Sequence, residues 1–262
     1  FKIGRTLFSR AQYAAAVEAI NAYFDKFPKP RQEKYARYIR GVSLYHTGHP
    51  EEALHDLNII LNDWTSPYTE NTLLTVAALY LDLKQYNEAI VHLKKLELNA
   101  DFKDSYGYAV TNLMICYFEI GDFAQMDKYV KLVKNSNRVS DDQIATAHLY
   151  TAKALLQQKN VKSATDELNL AALKSQSAVS AEARYRVALL QYDKKEYDNA
   201  QASAFDVIEN MSAHDYWVAK SFILLADTYA RKGDVRQAKS TLESVVENYT
   251  EDDDVIPAAK ER

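Results

Sequence analysis

A single cysteine in 262 residues, Cys116, excludes an intrachain disulfide, so cross-links contribute nothing to stability. Six glycines and five prolines are too few turn formers for an all-β chain, which needs a turn about every ten residues. No apolar run approaches the roughly 20 residues that cross a bilayer. Nothing at Phe1 resembles a signal peptide, and position 1 is not Met, which leaves room for a leader removed earlier. Lys and Arg number 32 against 36 Asp and Glu and are spread throughout, so the basic stripe that nucleic acid demands is missing. Phosphate loops, Gly-x-Ser-x-Gly elbows and His-Glu-x-x-His are absent as well. The crowded histidines His46, His49 and His55 fall on a helix, a turn and the next helix without matching carboxylates or thiolates, which reads as a solvated turn. Cys116 lies on an apolar stripe beside Leu113 and Tyr117, the setting of a buried inert thiol. Neither enzyme activity, nor a cofactor, nor a metal is expected.

What remains is an ordinary folded composition, 47% apolar and 26% charged, with an internal period. Ala16, Ala53, Ala89, Met126, Ala164, Ala200 and Ala238 recur at a mean spacing of 37 residues. Three residues before each stands Tyr13, Pro50, Tyr86, Phe123, Val161, Tyr197 or Val235. Four residues after each stands Ile20, Leu57, Leu93, Val130, Leu168, Ala204 or Leu242. Twelve residues ahead come the small residues Gly41, Ala77, Ala152, Ala188 and Ala226, with Met114 the exception. Gly48-His49, Gly121-Asp122 and Gly233-Asp234 mark turns, and Lys84, Lys159 and Lys195 substitute in the other copies. Small residues at fixed places let helix axes approach, while large ones fill the seam. The expectation is an all-α solenoid of seven helical hairpins over residues 1–249, the leading helix of the first one truncated. Residues 250–262 are expected to be the acidic start of a capping or continuing helix, with Glu251–Asp254 at its N-terminus and Pro257 in its first turn.

The Gly/Asp turn, the Tyr/Phe after it, the alanine three residues on and the small residue at the first-helix crossing resemble the tetratricopeptide-repeat family. The resemblance covers about residues 1–249 and is strongest over Tyr35–Leu61, Leu73–Leu96 and Trp217–Tyr249. The family's usual repeat is about 34 residues, so the extra residues are assigned to loops between hairpins. Met126 departs from the pattern, as do the turns without glycine. The resemblance implies a right-handed superhelix that binds a partner protein or peptide on the concave face lined by first helices. Its chaperone-tail carboxylate clamp is not implied, because the matching slots hold Tyr38/Val42, Leu74/Ala78 and Thr111/Ile115. Ala22–Pro28 followed by Tyr35–Tyr38, and Phe222–Tyr229, look like the bacterial cell-envelope branch. That likeness leans toward a periplasmic or outer-membrane-associated setting, within a larger envelope assembly, over a cytoplasmic one.

Nineteen tyrosines against nine phenylalanines is a skew toward rings with a polar tip, which favour wet edges and interfaces. Carrying the family's frame onto this chain puts Tyr35, Tyr38, Tyr45, Asn71, Tyr108, Asn112, Tyr150, Lys153, Tyr185, Arg186, Tyr192, Lys220, Asp227 and Arg231 on the partner groove, with Thr75 and Asp82 among them. Two alternatives stay open. One is a structural spacer with no groove ligand; the other is a small-molecule or glycan sensor that uses the tyrosines for stacking.

Overall fold

The computed structural model describes residues 1–62 and 66–262; Trp64, expected beneath the link after the second hairpin, lies outside the described residues. Seven helical hairpins succeed one another: α1 (Lys2–Ser9) and α2 (Tyr13–Lys26), α3 (Glu33–His46) and α4 (Pro50–Leu61), α5 (Thr69–Asp82) and α6 (Tyr86–Asn99), α7 (Lys103–Glu119) and α8 (Phe123–Asn135), α9 (Asp141–Gln157) and α10 (Val161–Lys174), α11 (Ala178–Asp193) and α12 (Tyr197–Asn210), α13 (Asp215–Lys232) and α14 (Val235–Asn248). The short α15 (Val255–Lys260) follows, and no strand occurs among the described residues. The fold is the all-α hairpin array that the period implied.

Every second helix begins on the aligned residue three before the packing position: Tyr13, Pro50, Tyr86, Phe123, Val161, Tyr197 and Val235. One backbone device produces that register. The residue two places earlier has positive φ in all seven hairpins: Ala11, Gly48, Lys84, Gly121, Lys159, Lys195 and Gly233. The amide after it closes back on the first helix, as in His49 to the Leu44 carbonyl (2.9 Å), Gln85 to Tyr80 (2.8 Å) and Asp234 to Tyr229 (2.9 Å). This six-residue closure satisfies the last helical carbonyls and reverses the chain, and it needs a left-handed residue to do so. Glycine adopts that conformation freely; the lysines and the alanine bear its steric cost. The next residue caps the second helix, and the side chains of Asp122, Asn160 and Asp234 accept the amides of Gln125, Ser163 and Gln237.

Packing divides the chain into two compact units, Phe1–Tyr129 and Val130–Arg262, with the boundary inside α8. In the first unit the aligned Ala16, Ala53, Ala89 and Met126 are buried, as are Ile20, Leu57 and Leu93 four residues on. The reason for a small residue at the first-helix crossing is plain at Gly41, where an added Cβ would lie 2.7 Å from Leu57 Cγ. Gly4 holds the same repeat position and would bring its Cβ to 2.6 Å from Ile20 Cδ1; the sequence reading left it out of the pattern. The fourth hairpin has Met114 and Met126 at these two places, both buried, so flexible side chains occupy what alanines occupy elsewhere. In the second unit Ala152, Ala164, Leu168, Ala188, Ala200, Ala204 and Ala226 continue the buried pattern.

Added length lies partly in helix rather than in loops as expected. First helices α7 and α9 have 17 residues and α13 has 18, against 14 in α3 and α5, whereas the link Ala100–Phe102 is a bare connector. Helix α1 has only eight residues.

A buried charge knot ties the first two hairpins. Asp56, 1% exposed, accepts Arg37 Nη1 at 2.8 Å and Arg40 Nε at 2.6 Å, and Arg40 Nη1 donates to Asn21 Oδ1 at 2.8 Å. Both guanidinium groups lie over the Phe24 ring. A buried carboxylate persists only with such partners.

Candidate partner-binding face

First helices are connected to first helices by polar and aromatic links between residues roughly one repeat apart. In the first unit Tyr45 on α3 donates its hydroxyl to Asp82 at the end of α5, at 2.6 Å. Burial pushes the Tyr45 hydroxyl up to about 12, helped by that carboxylate. Tyr108 on α7 is pushed up to about 12 by burial and then by Tyr45 and Asp82. Asn112 Nδ2 donates to the Tyr108 carbonyl, so Asn112 braces its own helix. Tyr35 and Tyr38 gather around Tyr68, which precedes α5: Tyr35–Tyr68 centroids lie 4.9 Å apart at 6°, and Tyr38–Tyr68 5.5 Å apart at 18°. Asn71 is exposed on α5, and its carbonyl accepts from Thr75 Oγ1; among the described residues no link joins it to the neighbouring first helices.

In the second unit Lys153 on α9 lies over the Tyr150 ring at 4.5 Å and pairs with Glu182 on α11 at 3.0 Å. Arg186 pairs with the same Glu182 at 2.7 Å. Tyr185 packs against Trp217, centroids 5.5 Å apart, and Tyr192 accepts Arg231 Nε at 3.1 Å. Lys220 binds Asp254 at 2.8 Å, and Asp227 is gripped by Arg262 Nε at 2.8 and 2.9 Å, so both are engaged by the C-terminal segment. Tyr216 also donates to Asp254 at 3.0 Å.

Of the expected groove residues, Asn71 and Asn112 make no contact of this kind among the described residues, Tyr150 and Arg186 join the neighbouring first helix through the Lys153–Glu182 pair, and the others touch another first helix, the approach to one, or the C-terminal segment. Sequence reasoning missed Tyr68, Glu182, Trp217, Asp254 and Arg262. Their signal was available, since each stands about one repeat from a residue that was named. The histidines are accounted for singly: His46 stacks on Tyr13 at 4.2 Å, His49 meets Thr47 Oγ1, and His55 lies 4.0 Å from Asp56. No group of ligating side chains with metal-site geometry occurs among the described residues. Burial pushes the Cys116 thiol up to about 12, which keeps it protonated and unreactive. No described helix is long and apolar enough to cross a membrane.

Tetratricopeptide-repeat family models match residues 1–61 and residues 220–251, the first two hairpins and the last. The chain is a tetratricopeptide-repeat protein. No curated protein matches it in sequence. Among solved structures it is similar to a tetratricopeptide repeat protein from Parabacteroides merdae, with a TM-score of 0.67, 14% identity, and coverage of 98% of this chain and 94% of that one. It is also similar to the C-terminal part of a repeat-containing protein from Cytophaga hutchinsonii, with a TM-score of 0.66, 15% identity and 98% of both chains covered. Yeast Tom70 follows with a TM-score of 0.57 and 14% identity over 95% of this chain and 57% of that one. At these identities the likeness is one of fold. Tetratricopeptide repeats bind protein partners, and that is the class of work this fold supports.

Proposed function

We propose that the chain is a non-enzymatic scaffold which binds a partner protein or peptide on the tyrosine-rich face of its first helices. One observation carries this reading: residues about one repeat apart, such as Tyr45 and Asp82 or Tyr192 and Arg231, touch directly. Side chains from successive first helices therefore share a surface, as a ligand lying across them requires. Tyrosine and arginine dominate it, and these bury large area while keeping hydrogen bonds. In the first unit the contacts are Tyr35, Tyr38, Tyr45 and Tyr108; in the second they are Tyr150, Lys153, Tyr185, Arg186, Tyr192 and Arg231. Lys220 and Asp227 serve as framework, because Asp254 and Arg262 already hold them.

The test is capture of a native partner by the whole chain with Tyr150→Ala and Tyr185→Ala combined. Partner recovery is expected to fall at least tenfold while far-ultraviolet circular dichroism stays unchanged. Undiminished capture sinks the proposal for the second unit. The likeness of Ala22–Pro28 to cell-envelope repeat proteins supports a home in the bacterial envelope, and fractionation of the native cell checks it.

A further inference from the structure

Neighbouring hairpins meet at a three-residue position that recurs along the chain. It takes the residue sixteen before the aligned packing residue, the one three after it, and the one eight after the preceding packing residue. In the second hairpin these are Arg37, Asp56 and Phe24, part of the charge knot described above. In the fifth they are His148, Glu167 and Lys134, where His148 Nδ1 at 2.6 Å and Lys134 Nζ at 2.8 Å share one Glu167 oxygen. In the fourth, Tyr129 donates to Glu97 at 2.8 Å. The third copy has Leu61 and Leu73 in its core, and the seventh has Ile208 and Phe222 packed against its own.

The sixth hairpin breaks this series. Arg184 takes the first place, but Ser203 and Ala172 stand at the other two, and an open cleft of about 510 Å³ lies there against α10, α11 and α12. Asn169, Arg184 and Ser203 give it polar lining, and Ala172, Leu173 and Val187 give it apolar lining. Arg184 is 17% exposed; its Nη1 pairs with Asp206 at 2.6 Å, a rim carboxylate that is itself 43% exposed. Arg184 Nη2 reaches the Ala172 carbonyl at only 3.3 Å. Its Nε is closed to water and has no partner among the described residues.

Arg37, at the same repeat position, shows what such an arginine does when fully supplied. Its Nη1 donates to Asp56 at 2.8 Å, while Nε and Nη2 both hold Glu33 at 2.9 Å. In the sixth hairpin Ser180 stands where Glu33 would, and it donates to the Ala171 carbonyl instead. The Nε–Nη2 edge of Arg184 therefore lacks the second carboxylate that the chain itself gives to Arg37. That edge has the forked geometry that carboxylates fit, and a buried donor left unpaired is costly. From these observations we infer that the cleft is a binding site for a small aliphatic monocarboxylate. Its oxygens take the Nε–Nη2 edge of Arg184 and the Ser203 hydroxyl, and its chain lies along Leu173 and Val187. Because Nε is closed to water, the guanidinium turns toward Ser203 as the ligand enters. The site shares no residue with the partner face proposed above, and neither reading rests on the other.

The experiment is isothermal titration calorimetry of the whole chain with sodium 4-methylpentanoate, beside 4-methylpentanamide at equal ionic strength. Saturable binding of the carboxylate is expected, with a Kd of about 1 mM, and binding of the amide at least roughly tenfold weaker. Ser203→Glu places in the cleft the carboxylate that Glu167 supplies in the fifth hairpin, and it should abolish binding while helicity is kept. Ser203→Met fills the same space without charge and should abolish binding too, so that loss of helicity in either variant leaves the other decisive. No saturation below about 10 mM, equal binding of the amide, or undiminished binding in a folded Ser203 variant would each overturn the inference.

Discussion

At the residue scale, the left-handed turn position is where the chain departs furthest from local preference. Lys84, Lys159 and Lys195 occupy a conformation that costs a side-chain-bearing residue about 1–2 kcal/mol. Replacing Lys84 or Lys195 with Gly should raise stability by about 1 kcal/mol after glycine's greater unfolded-state entropy is subtracted, which chemical denaturation will measure. Gly233→Ala should cost a similar amount, even though nothing lies within 4 Å of the added methyl, because the penalty is in the backbone. His92 gives a pH signature: burial, then Lys95, lowers it to about 4, while a ring N–H donates to the Glu88 carbonyl. Its folded value lies below the unfolded one, so the unfolded chain binds more protons as acid is added. The stability it contributes is present above pH 6.5 and is lost as pH falls toward 4. His92→Gln should flatten that part of the stability–pH curve.

At the element scale, the small residues at helix crossings set how closely first and second helices pack. Ala89→Leu or Ala200→Leu should overpack a crossing and cost about 1–3 kcal/mol. Gly41→Ala should do the same, because the added methyl would lie 2.7 Å from Leu57 Cγ and 3.4 Å from the Ala53 carbonyl oxygen. Charge binds elements where shape does not. Removing the buried carboxylate of Asp56 leaves two guanidinium groups facing each other, and Asp56→Ala should destabilise the first unit by about 3 kcal/mol, toward the low end because both arginines keep some solvent.

At the scale of the whole molecule, each hairpin leans on its neighbours, so damage should stay local. Asp56→Ala is expected to raise hydrogen exchange in α2, α3 and α4 while leaving protection in α11, α12 and α13 unchanged. A uniform loss of protection across both units would show that the array unfolds as a single cooperative block. Partner binding belongs to this scale as well, since the proposed contacts come from several first helices and no single hairpin supplies them.

Periodicity in the amino-acid sequence was enough to determine the hairpins and the buried packing positions, while the structure starts each second helix three residues before the aligned packing residue. Those follow from local rules: turn chemistry sets where the chain reverses, and apolar spacing sets which face is buried. Gly4 and Ala11 stand at the same two repeat positions in the first copy as Gly41 and Gly48 in the second, and the sequence reading passed over them. The sequence alone did not tell which tyrosines keep their hydroxyls occupied. Tyr45 and Tyr38 look alike along the chain, yet Asp82 accepts a hydrogen bond from one, while the other meets the rings of Tyr35 and Tyr68. That difference arises when one repeat is laid against the next. Hydrogen-bond partners some 30 to 40 residues away are chosen by the offset between stacked helices, a quantity that only the tertiary structure fixes.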